Sequence, residues 1–310
     1  MNRQEIYRSN GKLIITGEYA VLDGALSLAV PLKLGQRMSI SERKLNGSKL
    51  SWEATDINGL WFTAIVSAKS FQIIETNNLP VADNLVKCLN AARKLNSSFL
   101  DSCQSWNISN HCGFDRNWGL GSSSTFISNI SDWARVDPFE LNSLISNGSG
   151  YDIACARSRK PILYSWKNKQ PEFFETNFNP PFKDNLFLVY LNHKKNTDQS
   201  IEDYCSSGKK NINFIEKISG ITNRIVHSET INDFMTLIFE HEKIMSEVLK
   251  LQPVKEKLFK DFPGEIKSLG AWGGDFVLVA SELSRRFVHS YFREKGYNVI
   301  IPFKKIARLG

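Results

Sequence analysis

The sequence predicts an α+β protein. Strand-like and helical patterns are mixed in both halves of the chain, and a polar, proline-bearing stretch at Lys167–Asp184 separates the halves. The predicted domains are therefore residues 1–175 and 176–310.

In the first half, Lys12–Thr16 reads as a short strand, Gly17–Asp23 as a tight connector, and Leu26–Pro31 as a strand stopped by its proline. Met38–Arg43 and Lys49–Ala54 read as a hairpin around Leu45-Asn46-Gly47-Ser48. Phe71–Glu75 is a further strand. Apolar residues at Leu85, Val86, Leu89 and Ala92 predict a helix over Val81–Leu95. Ser105–Ser109 alternates as a strand does, and Gly119–Val136 turns from glycine and serine into a helix. Pro138–Ile145 is a helix with Asp137 as N-cap and Pro138 at its first position. Pro161–Trp166 closes this half as a strand.

The second half opens on a buried strand, Leu186–Tyr190. Helices follow at Ile201–Ser206, Ile212–His227 and Ile231–Leu251. The glycine-rich run Gly270–Gly274 leads into a strand at Phe276–Ala280. A helix at Leu283–Lys295 and a strand at Asn298–Pro302 end the pattern. No internal repeat is evident.

Composition is globular, with 42% hydrophobic and 23% charged residues. The longest apolar runs are too short to span a bilayer. The chain begins with polar residues and shows no secretory signal, so a cytoplasmic location is expected. The five cysteines, Cys88, Cys103, Cys112, Cys155 and Cys205, are scattered and form no CxxC pair. Reduced, mostly buried thiols are expected, without a structural zinc site. The net charge of +7 favours anionic partners. Lysine pairs such as Lys209-Lys210 and Lys304-Lys305 read as solvated surface, and no aromatic or helical nucleic-acid signature accompanies them. Neither nucleic acid nor a membrane is an expected partner. His111, His227, His241 and His289 lack matching partners in the sequence and are read as structural or surface residues.

Three glycine-bearing segments carry the chemistry. The first is Gly119-Leu120-Gly121-Ser122-Ser123-Ser124-Thr125, directly before a helical run. Its glycines permit a tight turn and close approach to a ligand, and the helix start offers free N–H groups to an anion. An ordinary serine-capped helix has the same look. The segment lacks the lysine of a Walker A loop and the third glycine of a dinucleotide fingerprint, and no protein-kinase HRD or DFG occurs. The second segment, Gly11-Lys12-Leu13-Ile14-Ile15-Thr16-Gly17-Glu18-Tyr19, sets a lysine at the head of an apolar strand and a Gly-Glu pair at its end. A lysine snorkelling to solvent is the plainer reading of that strand. The third is Lys267-Ser268-Leu269-Gly270-Ala271-Trp272-Gly273-Gly274-Asp275, whose dense glycines suit the close approach of a backbone or ligand.

Together, in this order, the segments resemble the three motifs of the GHMP kinase superfamily, named for galactokinase, homoserine kinase, mevalonate kinase and phosphomevalonate kinase. The third is a variant, with Ala271-Trp272 where the family carries small residues. Gly148-Ser149-Gly150-Tyr151-Asp152-Ile153-Ala154 is similar to the segment bearing the catalytic aspartate. Its Gly-Tyr-Asp-Ile-Ala run resembles the mevalonate and phosphomevalonate kinase branch and a bacterial group within the superfamily. The resemblance implies an N-terminal domain like domain 2 of ribosomal protein S5 and a ferredoxin-like C-terminal domain, with ATP and acceptor in the cleft between them. It implies ATP and Mg²⁺ as cofactors. Gly119, Leu120, Gly121, Ser122, Ser123 and Ser124 would hold the ATP phosphates, with Ser123 on the metal, and Gly270, Gly273 and Gly274 would line the opposite wall. Asp152 and Lys12 would be catalytic: the aspartate taking the acceptor's proton, the lysine steadying charge. Read without the family, Asp152 is a helix-capping residue.

Mevalonate kinases place a second metal ligand, a glutamate, shortly before the aspartate. Here Asp137 and Glu140 are the nearest acids and neither aligns with it, which leaves the ion to phosphates, Ser123 and water. By the same resemblance Glu18, Tyr19, Lys194, Lys195 and Ser200 are substrate-binding candidates, and the two lysines suit an anionic acceptor. An exposed polar loop is the alternative for His193–Ser200. The expected function is phosphoryl transfer from ATP to mevalonate or phosphomevalonate. A kinase for homoserine or a sugar, an inactive ligand-binding relative and a decarboxylase relative are the alternatives. A homodimer is compatible with the sequence, which does not fix the oligomeric state.

Overall fold

The computed structural model describes every residue except 1–3, 44–46, 102–103, 147, 168–169, 194–196 and 207–210. In chain order its elements begin with β1 (Gln4–Thr16), β2 (Ser27–Arg43), β3 (Lys49–Asp56), β4 (Gly59–Ser67), β5 (Ile73–Thr76), α1 (Leu79–Leu95), β6 (Ser105–Cys112), α2 (Ser122–Ala134), α3 (Pro138–Ser143) and α4 (Tyr151–Arg157). There follow β7 (Ile162–Lys167), β8 (Gln170–Glu175), β9 (Leu186–Tyr190), α5 (Thr197–Ser206), α6 (Ile212–Val226), α7 (Ile231–Leu249) and α8 (Val254–Leu258). The chain continues with β10 (Glu265–Ser268), β11 (Phe276–Ala280), α9 (Arg285–Glu294), β12 (Ile300–Pro302) and α10 (Phe303–Ile306). These elements form two compact units. The first takes the residues up to Gly11, Leu34–Arg116 and Leu120–Arg157; the second takes Lys12–Lys33, Asn117–Gly119 and Ser158–Gly310.

In the first unit, β5, β4, β3, β6 and the second half of β2 lie side by side in that order. β3 pairs antiparallel with β4 (Trp52 opposite Ala64) and parallel with β6 (Trp52 opposite Ile108). β6 in turn pairs antiparallel with β2 (Ile40 opposite Ile108). Alternation puts Leu50, Trp52 and Ala54 of β3 and Phe62, Ala64 and Val66 of β4 into the core. Helices pack on that core through Leu85 and Leu89 of α1, Ile127 and Ile130 of α2, Leu141 of α3 and Ile153 of α4.

The second unit contains an antiparallel sheet in the order β12-β9-β11-β10. Helices α5 to α8 separate β9 from β10, β10 and β11 are consecutive, and α9 precedes β12. That is the split β-α-β-β-α-β arrangement of a ferredoxin-like domain, as expected. Phe187, Val189, Phe259, Val277, Val279, Val288 and Phe292 form a core on this sheet. The first half of β2 pairs with β7, and β7 with β8, in the same unit.

Several sequence expectations change. β2 is one strand running through Pro31, not two strands parted by it. The proline costs no bond on its acceptor side: its carbonyl accepts from the N–H of Arg308 at 2.8 Å. β2 and β3 are not hairpin partners, because β6 lies between them. The hairpin forms instead at Asn58-Gly59, where Gly59 is left-handed (φ 107°) and the Asn58 N–H meets the Asp56 carboxylate at 2.8 Å. Asn46 of the expected turn lies outside the described residues. β4, β8, β10, α4, α8 and α10 had no sequence expectation; β8 lies inside the polar stretch 167–184. Asp137 does cap α3, accepting from the N–H groups of Phe139 and Glu140 at 2.9 Å. Cys88, Cys112 and Cys155 are buried thiols, Cys205 is exposed, and Cys103 is outside the described residues. Among the described residues no helix is long and apolar enough to cross a membrane.

Candidate active site

Helix α2 starts without help from a side chain. Its N-cap is Gly121, left-handed at φ 93°, and no side chain caps the helix. By contrast α1, α3, α6, α7 and α9 are each capped by a side chain, from Asn78, Asp137, Asn211, Thr230 and Ser284. The first N–H groups of any helix have no acceptor within it, so those of α2 remain available. The serines divide by orientation. Ser124 is buried and donates its hydroxyl to the Gly121 carbonyl at 3.0 Å, as Thr125 does at 2.9 Å. Ser122 faces the Arg116 carbonyl at 3.4 Å. Ser123 alone of the three is exposed. Leu120 is buried and anchors the turn.

In the same unit, α4 packs on α2, and the Arg157 guanidinium joins Asp132 of α2 at 2.8 Å. Asp152 stands in the first turn of α4, half-buried, with its carboxylate accepting from the N–H of Ile153 at 3.1 Å. Gly150, left-handed at φ 80°, starts this helix by accepting from the N–H groups of Ile153 and Ala154 at 3.1 Å. Glu140 is exposed, and among the described residues no three His, Cys, Asp or Glu side chains cluster as a metal site.

Each unit holds its own contacts between glycine-bearing segments. In the first unit, a Cβ on Gly11 would sit 3.0 Å from the Leu120 carbonyl, so the middle of β1 lies against the turn before α2. In the second unit, a Cβ on Gly119 would run into the Asp275 carboxylate. Also in the second unit, the Gly17–Ala20 turn meets the Lys267–Gly274 segment through a buried ionic cluster. Lys267 bonds Glu18, lies 3.5 Å from Glu242 and donates to the Ser268 carbonyl at 2.9 Å. The Ser268 N–H reaches Glu242 at 3.2 Å, and the Gly17 N–H reaches His241 Nε2 at 3.0 Å. Since Nε2 accepts there, His241 is neutral; burial, with help from Lys267, pushes its pKa well down. Burial raises Glu242 to about 7, opposed by Lys267 and reinforced by Glu18, and it raises Glu18 too, again opposed by Lys267.

Of the residues expected to form the site, Lys12 is half-buried at the point where β1 enters the second unit. Glu18 and Tyr19 are buried, Glu18 on Lys267 and Tyr19 stacked on Tyr204 at 5.4 Å, so neither side chain is open to solvent. Gly270 and Gly273 are left-handed, Gly273 is exposed and Gly274 buried. Ser200 is buried on α5, and Lys194 and Lys195 lie outside the described residues. Sequence reasoning missed Lys267, Glu242 and His241; their bonds span 25 to 249 residues, and no local spacing announces them.

No family model matches the chain, and no curated protein is similar to it in sequence. Solved structures do match in fold. The mevalonate kinase of Methanococcus jannaschii matches with a TM-score of 0.72 at 14% identity, over 99% of both chains. The phosphomevalonate kinase of Streptococcus pneumoniae, solved with phosphomevalonate and AMPPNP, gives 0.69 at 15%, over 94% of this chain and 97% of that one. The galactokinase of Lactococcus lactis, complexed with galactose, gives 0.65 at 12%, over 99% and 94%. The chain thus has the fold expected from its three motifs.

Proposed function

We propose that this chain, which has the fold of the GHMP kinases, transfers the terminal phosphoryl group of ATP to a small anionic alcohol in the cytoplasm, with mevalonate or phosphomevalonate as acceptor. The observation that carries the reading is the start of α2, where a left-handed Gly121 stands in place of the side-chain caps that α1 and α3 carry. The phosphates would rest on the amides of Ser122–Ser124 at the positive end of α2.

The donor set fits Mg²⁺ arriving with ATP. Ser123 presents an exposed hydroxyl, a hard oxygen ligand, and the phosphates supply further oxygens. The ion would neutralise charge developing on the transferred group. Asp152 would accept the proton of the acceptor hydroxyl and orient it. Lys12 would compensate charge at the reacting oxygens, a role that needs only position because the transition state is loose. Lys194, Lys195 and Ser200 would bind the acceptor's anionic end. Two solved structures of this fold carry related ligands: R-mevalonate in the L. major mevalonate kinase and phosphomevalonate in the Streptococcus pneumoniae phosphomevalonate kinase.

The test is ATP consumption by the purified protein with Mg²⁺ against mevalonate, phosphomevalonate, homoserine and galactose. Turnover is expected with one of the first two. A preference for homoserine or galactose would overturn the acceptor and leave the kinase; no turnover with any would overturn the kinase.

A further inference from the structure

The loop from Gly270 to Gly274 is held from two sides by side chains that never reach solvent. On one side is Lys267, 0% exposed, with Glu18 and Glu242 as its counter-charges. On the other is Trp272, 2% exposed, set among Tyr19, Ala20, Tyr204, Phe214, Ile218 and Met245. The Trp272 N–H donates to the Tyr19 hydroxyl at 3.3 Å. Tyr204 stacks on Tyr19 and bonds Asp23, which fixes the turn from behind. Both anchors therefore end on the same short segment, residues 17–23.

The ionic cluster is a poor device for stability alone. A buried cation with two carboxylates costs desolvation that apolar residues of similar volume avoid. Moreover Glu18 Oε2, His241 Nδ1 and Ser268 Oγ are buried without a hydrogen-bond partner in the structure. Unmade bonds of that kind are expensive. What the cluster does supply is direction: a short contact from Lys267 to Glu18, and Glu242 on the Ser268 backbone N–H, fix the chain entering the loop. Trp272 supplies the second fixed point, at the position where the resembling kinases carry a small residue.

We propose that Lys267 and Trp272 are positioning residues that lock the glycine loop 270–274 to the Gly17–Ala20 turn before any substrate binds. The loop is a preformed wall, not a flap that closes on nucleotide. The inference rests on the kinase reading for its catalytic consequence, though not for its structural content.

Two measurements on the full chain test it. The first is amide hydrogen exchange over 268–276, with and without a non-hydrolysable ATP analogue. Wild type is expected to protect these amides already when free. Trp272→Gly is expected to exchange them at least tenfold faster. Fast exchange in free wild type, slowed only by nucleotide, would overturn the proposal. The second is steady-state kinetics beside thermal unfolding. Trp272→Gly and Lys267→Met are expected to lose about 10-fold to 10²-fold in kcat, the scale of a misplaced catalytic wall. Trp272→Phe should recover most of that loss. A lowered Tm with kcat unchanged well below it would mean that the anchors merely stabilise, and would overturn the proposal. If Lys267→Met does not fold, Glu242→Gln takes its place. A wild type without kinase activity would sink the proposed function, and hydrogen exchange would still decide the anchoring.

Discussion

Glu242 and His241 are sequence neighbours on α7 whose shifts give stability opposite pH dependences. The folded Glu242 holds its proton up to about 7 against an ordinary 4.5. Folding therefore takes up a proton there, and the stability it lends is full at low pH and lost as pH rises through about 7. Glu18, also raised, has the same sign. His241 has the opposite one: its folded pKa lies well below 6.5, so stability is lost as pH falls below 6.5. Lys267 faces all three. Glu242→Gln removes one limb. The stability of wild type relative to this variant should fall by about 1–3 kcal/mol between pH 4.5 and 7, read from urea unfolding across that range. A difference independent of pH would show that Glu242 is ionised throughout. At the proposed reacting centre, Asp152→Asn should keep ATP affinity within a few-fold and lower turnover by about 10²-fold or more. Lys12→Met should do the same. Calorimetry and initial rates separate the two quantities; wild-type rates in both variants would move the centre elsewhere.

Helix α2 differs from its neighbours in how it begins, and the difference predicts two responses. At Thr230, whose side chain caps α7 by accepting from the Asp233 N–H at 3.1 Å, alanine should cost about 1 kcal/mol of stability and leave nucleotide binding alone. At Gly121 the trade reverses. Valine there places a β-branched side chain at the helix start and at φ 93°, and nucleotide binding should be abolished in a variant that still folds. Calorimetry with a non-hydrolysable ATP analogue checks both. The same element shows what sequence reveals. Glycine and serine runs, caps such as Asp137 and continuous apolar strands such as Leu186–Tyr190 and Phe276–Ala280 are local signals, and the structure places those strands at the residues expected. Strand β8 is almost wholly exposed, with Glu172 and Glu175 beside its phenylalanines, so no buried face marks it, whereas Leu60–Val66 of β4 is an apolar run broken only by Thr63 and is legible as a strand. Pro31 read as a stop because its compensating contact, with Arg308, lies at the far end of the chain. Lys267 read as loop for the same reason: its charge is explained only by Glu18 and Glu242.

Over the whole molecule, charge and connectivity have separate consequences. The net charge of +7 suits an anionic acceptor, and the proposed contacts at Lys194 and Lys195 should be the specific part of that attraction. The double variant Lys194→Ala, Lys195→Ala should raise KM for the acceptor and leave KM for ATP nearly unchanged. An unchanged acceptor KM would remove the loop from the site. Connectivity acts earlier, while the chain is being made. The second unit takes Lys12–Lys33 from one end of the sequence and Ser158–Gly310 from the other. Within it Leu28 pairs with Leu163, Thr16 bonds Thr222 at 2.9 Å, and Leu32 bridges Ala307. On the ribosome, therefore, Thr16, Leu28 and Leu32, all fully buried in the finished protein, must wait for partners translated more than a hundred residues later. At about 5–20 residues per second that wait lasts many seconds. A nascent chain halted near residue 160 would contain every segment of the first unit and a stretch, Lys12–Lys33, whose partners in β7 and α6 do not yet exist, the kind of exposed surface on which chaperones act.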